Sequence, residues 1–178
     1  MQPTFSTGDL VKATGVPRSA FQTWMRRDDI SFHTDHMQGG DGAGNHRRFS
    51  FAALLHFAVG VELVRIGLPA STSFQAAVVF SYLGQYAENG LTTDSRPPAF
   101  PFHYSKGKSL LIIPAGEANR AQVIGSENGA FRLSDVIEAN GGCTAFITLD
   151  LSEVFARTLR ALDMDPEAEL RTVYGEAA

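Results

Sequence analysis

Residues 5–30 read FSTGDLVKATGVPRSAFQTWMRRDDI, and this stretch predicts two short helices joined by a tight turn. The first helix is predicted over 7–14, where apolar residues recur on one helix face and Thr7 caps the start. Gly15 ends this helix, because glycine readily adopts the left-handed conformation that follows a last helical turn. The second helix begins near Pro17, a residue that the first turn of a helix tolerates.

The second helix, predicted over 17–27, has two unlike faces. Ala20, Phe21 and Trp24 lie at helical spacing and are expected to face the core. The opposite face is polar and basic, and it carries Arg18, Ser19, Gln22, Thr23 and Arg26, with Arg27 following. Such a face suits the major groove of DNA, where arginine pairs with guanine and glutamine with adenine. A solvated surface face is the alternative interpretation.

The next segment, residues 28–46, is polar and ends in a glycine-rich run. This composition predicts a hairpin with a long mobile tip. The basic group His46, Arg47 and Arg48 follows directly and is expected to contact phosphates beside the groove.

Two further helices are predicted after this hairpin. Ser50 caps a third helix over 51–66, which is apolar almost all round and must therefore be buried on more than one side. A fourth helix opens at Ser71 or Thr72 and runs to about Ala87.

A proline-rich stretch, Thr92 to Pro101, is the predicted domain boundary. The chain is therefore divided into a helical domain over 1–90, a linker over 91–101 and a small α/β module over 102–178. The predictions for the module are strands at 110–113, 121–124 and 144–149, a short helix from Ser134 to Ala139, and an amphipathic helix over 152–162. The fold class is α+β.

The N-terminal elements together resemble the winged helix of the MerR family. The resemblance rests on Gly15-Val16 in the turn, Trp24 in the second helix, Arg47-Arg48-Phe49 at the end of the hairpin, and Gly67-Leu68 after the third helix. It covers about 70 residues. It implies a winged helix-turn-helix in which helix 17–27 reads the major groove and the hairpin forms a wing that binds phosphates.

The sequence also departs from the MerR family. Gln22 and Thr23 stand where the family usually has arginine and tyrosine, so the family's operator preferences do not transfer. The long coiled-coil helix and the metal-binding cysteines of many members are missing, since Cys143 is the only cysteine. Metal sensing is therefore not predicted.

Charge and composition limit the remaining function classes. The net charge is −4, yet residues 1–70 carry +1 and the rest −5, so the basic residues are concentrated locally. No apolar run reaches the length of a membrane span, and the start of the chain lacks a signal-peptide pattern, which predicts a cytoplasmic, nucleoid-associated protein. Neither an enzyme motif nor a cofactor site is expected.

Two candidate chemical sites receive a structural interpretation. His33, His36 and His46 with Asp35 fall in a poorly constrained segment without the second half of a zinc pattern, so a solvated wing is expected there and no metal. Cys143 lacks a recognisable catalytic partner and is expected to be a buried, inert thiol.

The sequence therefore predicts a transcriptional regulator that binds double-stranded DNA as a homodimer, with a small-molecule or protein effector possible. The dimer is expected because the third and fourth helices expose more apolar surface than they cover for each other, with contacts in the fourth helix, the C-terminal module or both. The alternatives are a DNA-architectural or packaging protein of the excisionase or terminase-small-subunit type, and a small enzyme tethered to DNA.

Overall fold

The computed structural model describes residues 4–32, 34–40, 46–86, 94–126, 131, 133–139 and 143–175. Within these ranges the chain is a mixed α+β structure of seven helices and two antiparallel three-stranded sheets. The helices are α1 (Thr7–Thr14), α2 (Arg18–Arg26), α3 (Phe51–Arg65), α4 (Ala70–Ser81), α5 (Leu133–Ala139), α6 (Leu151–Arg160) and α7 (Pro166–Tyr174). The strands are β1 (Phe5–Ser6), β2 (Met37–Gln38), β3 (Arg48–Phe49), β4 (Ser109–Pro114), β5 (Gln122–Gly125) and β6 (Phe146–Asp150).

Each sheet is arranged around one central strand. In the N-terminal sheet β3 lies between β1 and β2, with Phe49 opposite both Phe5 and Met37. In the C-terminal sheet β4 lies between β5 and β6, with Leu111 opposite Val123 and Leu149. The sequence prediction of three short strands in the C-terminal half is thereby confirmed.

The start of α1 is fixed by a reciprocal pair of hydrogen bonds. The Ser6 hydroxyl accepts from the backbone N–H of Asp9, and the Asp9 carboxylate accepts from the Ser6 N–H at 2.7 Å and from its hydroxyl at 2.8 Å. The cap is therefore Ser6, and the prediction of Thr7 is wrong by one residue. Gly15 ends the helix with a φ of 68°, as predicted.

Helix α3 forms the centre of the hydrophobic core. Ten of its fifteen residues are buried, and it packs against α1, α4 and α6. The prediction from sequence was that α4 covers only part of this apolar surface, and that the remainder packs against the C-terminal half of the same chain or of a second chain. Because α6 supplies the missing cover from within the same chain, this part of the argument for a dimer no longer holds.

Residues from both sides of the predicted linker share one hydrophobic cluster. Phe51 of α3 lies 5.1 Å from Phe100 and 6.2 Å from Phe155 of α6, measured between ring centroids. Two ion pairs reinforce this contact: Arg157 with Glu62 at 2.8 Å, and Lys12 with Asp163 at 2.9 Å. The division into separate domains stays a prediction, but the two halves pack closely together.

The described part of the predicted linker, residues 94–101, is packed against α4. Arg96 is fully buried and donates to the carbonyls of Val79 and Phe80, at 2.7 and 3.0 Å, and to the side chain of Gln85 at 2.6 Å. The guanidinium thus supplies donors for the last turn of α4, whose carbonyls have no intrahelical partner. A proline-rich composition did not distinguish this segment from an exposed linker.

Several element boundaries differ from the sequence predictions. Helix α4 follows Pro69 and ends at Ser81, so the predicted caps Ser71 and Thr72 and the predicted end near Ala87 are wrong. Ser134 lies within α5, and Asp150 caps α6. Helix α7 was not predicted. The hairpin tip, residues 41–45, lies outside the described residues, and so do residues 127–129, which with Ser126 read Ser-Glu-Asn-Gly, a sequence that predicts a turn.

His56 of α3 is buried and hydrogen bonded at both ring nitrogens. Its Nε2 lies 2.8 Å from the Phe74 carbonyl, which only accepts, so Nε2 carries the proton and Nδ1 accepts from the Tyr82 hydroxyl at 3.0 Å. Burial lowers the pKa of His56 to about 4. The folded protein therefore holds a neutral imidazole at neutral pH.

This depressed pKa predicts a loss of stability on acidification. As pH falls from about 6.5 to 4, the unfolded chain binds a proton at this histidine that the folded chain does not, so the free energy of unfolding falls by about 3 kcal/mol. The His56→Gln variant should lack this component, as judged by urea unfolding across that pH range. Equal pH slopes for the two proteins would show that His56 does not carry the effect.

Candidate nucleic-acid interface

Helix α2 is held by an aromatic cluster beneath it. Phe21 is buried and meets Phe49 and Phe57 edge to face, with ring centroids 6.1 and 5.3 Å apart. Trp24 packs on Phe57 at 6.2 Å and on Phe74 of α4 at 5.5 Å. The predicted apolar face of this helix is confirmed, and its rings fix how the helix is rotated.

The opposite face of α2 is open to solvent. The exposed side chains are Arg18, Ser19, Gln22, Arg26 and, directly after the helix, Arg27. Thr23 is half-buried, and its hydroxyl donates to the Ser19 carbonyl at 2.8 Å. Its hydroxyl hydrogen is therefore engaged, and only its oxygen lone pairs remain to accept a hydrogen bond.

The β2–β3 hairpin presents the other predicted basic residues. His46 and Arg48 are exposed, while Arg47 is half-buried. Arg47 lies over Gly40, whose φ is 111°, and a Cβ at Gly40 would come within 2.7 Å of the Arg47 Nε. This Nε is buried and has no hydrogen-bond partner among the described residues. A buried donor without an acceptor destabilises the folded state, because it has lost its hydrogen bond to water and gained none within the protein.

The basic residues of α2 and the hairpin meet in one cleft. This basic cleft has a volume of about 500 Å³ and is lined by Ser6, Thr7, Gly8, Arg18, Gly40, His46, Arg47 and Arg48. Ser6, Thr7, Gly8 and Gly40 were not among the site residues predicted from the sequence. The Ser-x-x-Asp capping pattern at 6–9 was the available signal that a helix begins here.

The arginines of this surface differ from most other described cations in forming no salt bridge within the described residues, although the charge of Arg48 acts on the Asp9 carboxylate and helps to lower its pKa. Within the described ranges, no salt bridge involves Arg18, Arg26, Arg27, Arg47 or Arg48. By contrast, the ion-paired cations are Lys12, Arg65, Lys106, Lys108, Arg120, Arg157 and Arg171. No salt bridge within the described residues therefore neutralises the positive charge of α2 and the hairpin.

The sequence offered two alternative sites: a metal site at the histidines near the hairpin, and a reactive thiol at Cys143. His36 accepts or donates a hydrogen bond with the Ser50 hydroxyl at 2.9 Å and stacks on Tyr82, whereas His33 lies outside the described residues. In the parts of the chain that the structure describes, no three His, Cys, Asp or Glu side chains group as metal ligands would. Cys143 is partly exposed, so the expectation of a buried thiol is wrong.

Comparison with known proteins gives no family assignment. No protein-family model matches the chain, and no curated protein matches it significantly. Among the described helices, none has both the length and the apolar character needed to cross a membrane.

Proposed function

We propose that the protein is a sequence-specific transcriptional regulator that binds double-stranded DNA through α2 and the β2–β3 hairpin. In this proposal α2 is the recognition helix of a MerR-like winged helix-turn-helix and enters the major groove. The hairpin is the wing, and it contacts phosphates beside the groove. The observation that carries the proposal is the set of arginines on this surface that have no salt bridge within the described chain.

The geometry supports this arrangement at both elements. A helix that reads base edges needs one rigidly held face and one polar face, and α2 has both: Trp24 and Phe21 are packed, and Arg18 and Gln22 are exposed. Arg48 lies on a strand paired on both sides, so its backbone position is fixed relative to α1. Together these elements present base-reading and phosphate-binding groups on adjacent surfaces.

Substitutions in α2 and in the hairpin are expected to change DNA binding in different ways. Gln22→Ala should weaken binding to the preferred site by about 1–3 kcal/mol with little effect on random DNA, because a base contact is lost. Arg48→Ala should weaken binding to all sequences and lower the salt dependence by about one phosphate contact. Titration of labelled duplexes over a range of salt concentrations measures both effects.

Arg160→Ala is the matched control for these titrations. Arg160 is also exposed, and it has no salt bridge in the described part of the chain, but it lies on α6, away from α2 and the hairpin. Its removal should leave the affinity unchanged. If Arg48→Ala and Arg160→Ala have equal effects, the hairpin is not the DNA contact.

The preferred site is first identified by selecting bound genomic fragments with the purified chain. One short recognition helix reads few base pairs, so we expect two half-sites about one helical turn apart, bound by a homodimer. The exposed Leu83 and Tyr86 after α4 are candidate dimer contacts.

The number and position of the selected sites separate the two candidate functions. One operator upstream of a gene fits regulation. Several clustered sites with bent DNA would instead favour an architectural or packaging role.

A further inference from the structure

We infer that the basic cleft is a pocket for a single DNA backbone phosphate, in which the start of α1 acts together with the arginines. This inference rests on the proposed function, because it assigns a specific ligand group to part of the same surface. It adds Gly8, a residue with no charge or side-chain donor, to the DNA-binding set. Three observations carry it.

The first observation is the convergence of positive groups from three separate elements. Arg18 comes from α2, Arg47 and Arg48 come from the hairpin, and the first turn of α1 closes the cleft. The first N–H groups of a helix have no intrahelical acceptor and carry the positive end of the helix dipole. A phosphate placed there meets backbone donors and guanidinium groups at once.

The second observation is that the described fold gives no reason for glycine at position 8. Gly8 does not need a left-handed backbone, and a Cβ there would meet only the Ser6 Oγ, at 3.4 Å. Glycine within a helix is destabilising relative to alanine. A residue without a side chain at this position leaves the helix backbone open to a group that enters the cleft.

The third observation is the charge of the cleft lining: Arg18, Arg47 and Arg48 line it without a salt bridge in the described residues, and none of its described lining residues is acidic. A phosphate oxygen is an acceptor of the required charge. Asp9, whose negative charge would oppose a phosphate, is bonded to the Ser6 N–H and hydroxyl and does not line the cleft. The Ser6 bond lowers the pKa of this carboxyl, so the pair persists at neutral pH.

The test replaces Gly8 and measures folding and DNA binding separately. Gly8→Ala should leave the urea midpoint unchanged or raise it, yet weaken binding to every duplex by about tenfold, as loss of a charge-assisted hydrogen bond implies. Gly8→Glu should bind still more weakly, although an acidic residue favours the start of a helix. Ser71→Ala, at the second position of α4, is the matched control and should change neither property.

Interference by phosphate ethylation locates the contact. In complexes of the unchanged chain, ethylation of one phosphate in each half-site should block binding, and this position alone should lose its effect with Gly8→Ala. If the duplex binds but both Gly8 variants retain full affinity and the same interference pattern, the pocket is overturned and the DNA-binding proposal stands. If the unchanged chain binds no duplex, both are overturned.

Discussion

Replacing Arg96 by alanine is expected to lower the free energy of unfolding by about 3–5 kcal/mol. The guanidinium donates to two carbonyls at the end of α4 and to Gln85, and it lies 5.5 Å from the centre of the Phe80 ring. Its removal leaves the Val79 carbonyl and the Gln85 side-chain oxygen without this donor, and the Phe80 carbonyl with the Ala99 N–H alone, and it opens a cavity in a fully buried site. Urea unfolding followed by tryptophan fluorescence measures the loss.

Arg96 carries a buried charge, so the measured change in stability shows whether its hydrogen bonds outweigh the cost of burying that charge. Burial lowers the pKa of the guanidinium to about 10, so it remains charged at neutral pH, and no carboxylate forms a salt bridge with it in the described residues. The cost of burying the charge therefore opposes the gain from its hydrogen bonds. Arg96→Met separates the two contributions, because it keeps an apolar stem and removes both the charge and the donors.

We expect Arg96→Met to remain at least about 2 kcal/mol less stable than the unchanged chain, because the Val79 carbonyl and the Gln85 side-chain oxygen lose their donor, while the Phe80 carbonyl keeps only the Ala99 N–H at 2.9 Å. Arg160→Ala is the surface control and should change stability by less than about 0.5 kcal/mol. A methionine variant as stable as the unchanged chain would mean that burying the charge costs as much as its hydrogen bonds contribute.

Local patterns were sufficient to predict α1, α2 and α3, whereas both ends of α4 were predicted wrongly. Gly15 and Ser50 mark the end of α1 and the start of α3, because each satisfies a backbone requirement within a few residues in sequence. Segment 94–101 could not be predicted in this way. Its burial depends on Arg96 meeting the end of α4, and on the Tyr174 hydroxyl donating to the Pro101 carbonyl at 2.6 Å, 73 positions along the chain. Such contacts leave no local pattern.

Helix α7 was missed although its signal was present. Asp165 precedes Pro166, and this pair is a typical start of a helix, with an acidic cap followed by proline in the first turn. The hydrophobic pattern of α7 is weak, since only Pro166 among its residues is buried. Periodicity was therefore a poor guide, and the capping pair was the better one.

The sequence was sufficient to predict which residues form the candidate site, but not how they are arranged on the surface. Arg18, Gln22 and Arg48 were chosen for the chemistry of their side chains and their spacing, and the structure places all three in solvent. The position of Gly8 and Gly40 in the lining of the cleft was not predictable, because a glycine has no side chain whose chemistry could suggest it. Gly40 lies against Arg47, and Gly8 lies in the first turn of α1. Only the folded chain brings these two positions to one cleft.

Replacing Phe74 by alanine is expected to lower the free energy of unfolding by about 3–5 kcal/mol. The ring is buried between α3 and α2, with centroids 6.0 Å from Phe57 and 5.5 Å from Trp24. It reaches this position because Gly60 has no side chain: a Cβ there would lie 2.1 Å from the Phe74 Cδ1. Gly60 and Phe74 thus form one packing unit beneath the DNA-facing helix of the proposal.

A double-mutant cycle tests whether this packing unit exists. Gly60→Ala alone should cost about 1–3 kcal/mol through overpacking. In the Phe74→Ala background the same change should stabilise by up to about 1 kcal/mol, because the clash is gone and alanine favours the helix. Ser71→Ala, outside this contact, should have the same effect in both backgrounds to within about 0.5 kcal/mol. A Gly60→Ala effect of the same sign and size with and without the Phe74 ring would show that the glycine is not there to accommodate it.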